Sequence, residues 1–125
     1  MLIAKRGSSP RYKRDGIESF LLLSLRNAKS SKLSVTLVEM ESNGMQKTHR
    51  HVPEQVYYIL EGVGLMQVRN EKKQVTAGDC IFIPSTEVHG LMNNSNRPLK
   101  CLSACSPAFS KKRCEELWPL ESMQK

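Results

Sequence analysis

Nothing in this chain is both long enough and apolar enough to cross a bilayer as a helix. The longest apolar stretch, Phe20 to Leu25, is broken by Ser24, whereas a spanning helix needs roughly 20 residues. The basic start, MLIAKRGSSP, lacks the apolar segment of about 7 to 15 residues and the small-residue cleavage site of a secretory leader. The chain is therefore expected in the cytoplasm, away from membranes. No two of its four cysteines (Cys80, Cys101, Cys105, Cys114) form a C-x-x-C pair, which excludes zinc-ribbon and thioredoxin-like sites. They read as reduced, small hydrophobes. Cys101 and Cys105 share one face of a strand, and Cys114, in a polar segment, is the one expected to be exposed. There is also no long amphipathic helix, no internal repeat and no low-complexity tract.

Charge is scarce in the middle and concentrated at the start. Residues 1–32 carry eight Lys/Arg against Asp15 and Glu18, residues 33–110 carry seven of each sign, and the whole chain is +7. A basic arm over residues 1–16 can touch nucleic acid, but no helix-turn-helix, zinc-finger or aromatic RNA-binding motif accompanies it. No nucleic-acid partner is expected, and the arm reads as solvated and mostly irregular.

The remaining 17–125 have the size of one domain with its own core. Ile17–Leu25 is apolar without a settled period, strand or short helix. Leu33 to Glu41 alternates and is rich in β-branched residues, the mark of a strand. Further short strands are expected at Met45–His51, Val56–Leu60, Val63–Arg69, Gln74–Thr76, Cys80–Ile83, His89–Met92 and Leu99–Ser106. Turns fall between them every six to ten residues. Ser110 caps a short helix through Leu117, stopped by Pro119. The fold class is all-β, a closed antiparallel barrel or a sandwich.

The stretch GMQKTHRHVPEQVYYILEG, Gly44 to Gly62, holds His49 and His51, and the third histidine, His89, follows in GDCIFIPSTEVHGLMN. Residues i and i+2 of a strand share a face, so His49 and His51 can aim two imidazoles at one point. With a distant third histidine, this is the donor pattern of a first-row metal site.

These stretches resemble the cupin superfamily. Its first motif runs Gly, five residues, His-x-His, three or four residues, Glu, six residues, Gly. Here residues 44–62 match with one residue fewer after Gly44 and with Gln55 in the Glu slot. The second motif is matched over 78–93 by Gly78, Pro84, His89 and Asn93, with Thr86 where a second Gly would stand. Fifteen residues separate the two motifs. The resemblance implies an antiparallel double-stranded β-helix, a jelly-roll barrel, commonly dimeric, with a divalent metal in its mouth. His49, His51 and His89 would be ligands, with Gln55 in the fourth place. Strand alternation from Gln55 through Tyr57 and Ile59 favours Gln55 over Glu54, although a register shift at Pro53 would favour Glu54. Tyr57, Ile59 and Leu91 should line the pocket, Tyr57 also serving in proton transfer, while Tyr58 and Leu60 face outward toward a second subunit. Asn93 should hold a turn, and Phe109 should lie over a barrel end.

A neutral donor set leaves the full charge on the metal, Fe, Ni, Zn, Mn or Cu, and favours a small anionic or hydroxylated ligand. It also provides no carboxylate at the metal as general base. An oxygenase, isomerase or lyase is expected, or else a non-catalytic binding or sensing protein.

Overall fold

A computed structural model describes residues 1–118. After a short 3-10 turn at Arg6–Ser8 come nine strands: β1 (Arg11–Arg14), β2 (Ile17–Leu23), β3 (Ser34–Met40), β4 (Glu54–Glu61), β5 (Val63–Val68), β6 (Glu71–Thr76), β7 (Cys80–Ile83), β8 (His89–Met92) and β9 (Leu99–Ser106). One helix follows, α1 (Lys111–Leu117). The strands form a six-stranded sheet in the order β1-β2-β3-β9-β4-β7 and a three-stranded sheet in the order β6-β5-β8, with every pairing antiparallel. This is the jelly roll. Among the described residues, no helix is long and apolar enough to cross a membrane.

The interior is filled by alternate residues of the central strands. Tyr57 and Ile59 of β4, Leu99 and Cys101 of β9, Met40 of β3, Met66 of β5 and Leu91 of β8 are all buried in one cluster. Alternation on β9 is complete: Leu99, Cys101, Ser103 and Cys105 are buried, and the residues between them are not. A second cluster of Leu21, Cys105, Phe109, Cys114 and Trp118 packs the C-terminal segment against the open end of the barrel. Ser110 caps α1 by accepting from the Arg113 amide; Pro119, expected to stop the helix, lies outside the described residues.

The structure departs from the sequence expectations in three places here. Part of the N-terminal arm is a strand: β1 pairs with β2 from Arg11↔Phe20 to Arg14↔Ile17. Arg6 reaches back to Glu39 with two contacts of 2.6 and 2.8 Å and lies 4.4 Å over the Phe20 ring. A guanidinium with a carboxylate to grip and an aromatic face to cover is anchored even where, as here, it remains exposed. Cys114 is buried and Cys80 exposed, because the apolar positions of α1 pack inward whatever the polarity of their sequence neighbours. Residues 45–51 make two isolated bridges, Met45↔Met92 and His49↔His89, rather than a continuous strand. Their pairing partner, β8, is only four residues long and also serves β5.

Gly62 turns β4 into β5 with φ +89°, and a Cβ there would collide with the carbonyl of Pro98. Gly62→Ala should cost about 2 kcal/mol or more, since an incompatible φ and a backbone clash combine. Chemical denaturation measures this, and a loss under about 0.5 kcal/mol would contradict the geometry.

Candidate metal centre

The barrel mouth is closed by a reciprocal pair of backbone hydrogen bonds. The His49 amide donates to the His89 carbonyl, and the His89 amide to the His49 carbonyl, both at 2.9 Å. His51 is tied in turn by the Thr86 amide, which donates to its carbonyl at 2.8 Å. Thr86 sits at φ +66°, a left-handed conformation that explains why glycine suits this place. These contacts bring the three rings together, with centroids 4.4 Å (His49–His89), 4.9 Å (His51–His89) and 5.6 Å (His49–His51) apart.

Each ring has one nitrogen already committed. Nδ1 of His49 faces the Lys47 carbonyl at 2.9 Å, that of His51 faces Pro53 at 2.8 Å, and that of His89 faces Glu87 at 2.9 Å. A carbonyl only accepts, so each Nδ1 holds the proton, and in the neutral ring Nε2 presents a bare lone pair. The three possible donor atoms lie within 4.8 Å of one another. His89 Nε2 is buried and has no hydrogen-bond partner, an expensive state for a polar atom unless something coordinates it. His51 Nε2 meets Gln55 Oε1 at 3.1 Å. Both atoms carry lone pairs, and a cation shared between them removes that repulsion. Two donors at about 2.1 Å from one first-row ion sit roughly 3 to 3.4 Å apart. The residues present therefore fit a divalent metal.

Electrostatics point the same way. His89 is fully buried, and desolvation pulls its pKa down to about 4, with the neighbouring His49 and His51 adding to the shift. His49 is also lowered, first by desolvation and then by electrostatic repulsion from its neighbours, Arg113 among them. Both rings are thus kept neutral, the form that binds metal. Gln55 is held in place from the other side, its Nε2 donating to Ser103 Oγ.

A cavity of about 260 Å³ opens onto His49, His51 and Gln55, close to the small end of ligand sites. Tyr57, Thr36 and Val38 form part of its wall, and Phe109 and Trp118 cover one side. Phe109 stands edge-on to His51 at 5.9 Å and lies 6.1 Å from Trp118. Tyr57 Oη donates to Gln46 Oε1 at 3.2 Å, and burial pushes its pKa well up; it is a protonated donor.

Of the residues singled out in the sequence, the structure brings His49, His51, His89, Gln55 and Tyr57 to one place. Glu54 opens β4 on the exposed side, while Gln55 is buried and pairs in register with Cys105 and Ile83; Pro53 does not shift the strand. Ile59 and Leu91 do not line this cavity. They share the inward face but lie deeper, 0% and 2% exposed in the main core. Asn93 is fully buried, and its Nδ2 donates to the carbonyls of Met40, Glu41 and Arg97. Ser103, Gln46 and Arg113 were missed. The buried face of β9 offered a clue to the first, as one hydroxyl in the row Leu99, Cys101, Ser103, Cys105.

A model of the cupin domain family matches residues 36–105, both histidine stretches included. The chain belongs to the cupin family. An uncharacterized protein of Methanocaldococcus jannaschii is 46% identical over 70 residues, which are 55% of this chain. The match spans only 56% of that relative's length. Among solved structures, an RmlC-like cupin of Shewanella frigidimarina superimposes with TM-score 0.76 at 21% identity over 90% of this chain and 96% of its own. A predicted oxalate decarboxylase of Thermotoga maritima gives TM-score 0.76 at 20% identity, covering 85% of this chain and 99% of its own. At these identities the likeness is one of fold.

The low pKa of His89 has a consequence for the metal-free protein. Between its unfolded value near 6.5 and about 4 in the fold, the unfolded chain binds the extra proton. Stability must then rise with pH in that window and fall as the solution is acidified. Thermal melts of metal-free protein should show Tm dropping between pH 7 and 5, before the carboxylates titrate. A His89→Gln variant should have a flatter profile, and a flat wild-type profile would contradict the burial argument.

Proposed function

We propose that the chain binds one divalent transition metal, Fe, Ni, Zn, Mn or Cu, through Nε2 of His49, His51 and His89, with Gln55 Oε1 as fourth donor. A small anionic or hydroxylated molecule would then coordinate the same ion from the cavity. The observation that carries this reading is the set of three imidazoles with Nδ1 committed to carbonyls and Nε2 left bare. When bound, the metal supplies Lewis acidity, undiminished by any anionic ligand. The chain's own part is to position and to shield. Ser103 orients the Gln55 amide, Phe109 and Trp118 exclude water, and Tyr57 offers its Oη proton as a hydrogen-bond donor rather than acting as a base.

This arrangement suits a metal-dependent oxygenase, isomerase or lyase. The second reading, a non-catalytic binding or sensing protein, is favoured by one observation. Among the described residues the one carboxylate on the cavity wall, Asp15, is engaged by Arg14 at 3.4 Å, so none of them offers a free general base there. Oxygen consumption or turnover on a panel of small carboxylates and sugars separates the two. The same reading takes the protein as cytoplasmic, in keeping with four free cysteines.

We also propose a homodimer through the outer face of the six-stranded sheet. Tyr58, Leu60 and Phe82 are 44%, 47% and 56% exposed there, and exposed apolar clusters mark interfaces.

Elemental analysis of untagged protein purified without chelator should find close to one equivalent of metal. His49→Ala should abolish it, and Gln55→Ala, which removes the fourth donor, should weaken affinity by at least about 10-fold, the lower bound for groups that merely support a metal ligand. Absence of metal after incubation with Fe, Ni, Mn and Zn salts would overturn the metal reading. For the dimer, light scattering should give twice the chain mass, and Tyr58→Glu with Phe82→Glu should return the monomer. A monomeric wild type refutes that interface.

A further inference from the structure

The cavity has a second chemical pole, on the C-terminal helix. Arg113 projects from α1 into the same wall that carries His49, His51 and Gln55. Its Nε is buried and has no hydrogen-bond partner. Among the described residues its one ion pair is at Nη1, where the exposed Glu116 lies 3.5 Å away. The Arg113 side chain is 39% exposed overall, but a guanidinium N–H buried without an acceptor is costly, and the residue shares its cavity wall with His49 and His51. The other cations of the wall are differently placed: Arg14 is engaged by Asp15, and Lys47 is exposed. Arg113 is also held firmly. The Ser110 hydroxyl accepts from its backbone amide. Behind it, Cys114 and Trp118 are buried against Phe109 and Leu21, and the Trp118 indole donates to the Ser19 carbonyl at 3.1 Å.

We propose that Arg113 is a substrate-binding residue, recognising a second anionic group on a small molecule whose first anionic group coordinates the metal. The inference rests on the metal reading above and narrows its ligand class to small dianions, with carboxylate or phosphate-type oxygens at both ends. A planar fork of N–H donors suits either group, which accepts two parallel hydrogen bonds from it. A monoanion can satisfy the metal or the guanidinium, and only a dianion satisfies both. Helix α1 is then the element that selects the ligand, and the histidines are the element that activates it.

Cobalt-loaded full-length protein gives a direct test, because ligand-field absorption of Co(II) reports coordination without any turnover. Acetate, malonate and phosphonoacetate are titrated into wild type, Arg113→Ala and Arg113→Lys, each first shown to bind one equivalent of Co(II) with unchanged affinity. Wild type should bind malonate or phosphonoacetate at least tenfold more tightly than acetate. Arg113→Ala should lose about 10- to 100-fold for the dianion, as expected for hydrogen bonds to a charged group, with acetate unchanged. Arg113→Lys should recover part of the loss, since it keeps the charge and forfeits the fork. Equal losses for acetate and the dianions would mean a general field effect and overturn the proposal, as would no loss at all. Failure of Co(II) to bind wild type would refute the metal reading itself, a different and visible result.

Discussion

Two hydrogen bonds between His49 and His89, backbone to backbone, hold together everything that this protein has at its mouth. They join a segment that pairs only at isolated bridges to a strand of four residues that opens at His89, 40 residues further along the chain. The pairing decides which way both rings point. Because each ring also donates Nδ1–H to a carbonyl two residues earlier, backbone geometry fixes the tautomer as well as the position. No second layer of carboxylates is needed to orient these histidines. The main chain does it, and a main chain does not titrate.

The site is correspondingly neutral. Three neutral imidazoles and an amide bring no charge, and Arg113, a cation on the same cavity wall, belongs to a different element of the fold. Most of the chain's net charge of +7 lies elsewhere, on residues 1–32, where eight Lys/Arg face only Asp15 and Glu18. With no carboxylate among the four candidate donors, an anion approaching a metal held there would meet no competitor of its own sign among them. The shape of a small cavity and the aromatic side chains at its edge would then add to whatever Arg113 selects, with Phe109 and Trp118 setting how much water enters.

Much of this was legible in the sequence. Strands β7, β8 and β9 fall where their composition puts them, and Gln55 faces inward because a strand alternates without exception from there to Ile59. The depth of the pocket was not legible. Alternation tells which face a residue takes, but not how far down a barrel it sits, so Ile59 and Leu91 share the face of the site without touching the cavity. Arg113 was hidden for another reason. A seven-residue helix with three adjacent basic residues looks like a solvated end, and only its docking against Leu21 and Cys105 turns one of them toward the mouth. The N-terminal arm misled in the same manner, since the Arg6–Glu39 pair joins residues that no local pattern connects.

That arm also bears on how the barrel avoids its own kind. The six-stranded sheet ends on one side at β1, and a free strand edge offers unpaired backbone groups to any neighbouring chain. Here the edge strand is RYKR, with Arg11, Lys13 and Arg14 all exposed. A second copy approaching edge to edge would have to stack cations on cations while desolvating them. The basic start of the chain thus lays an electrostatic selvedge along this edge of the sheet.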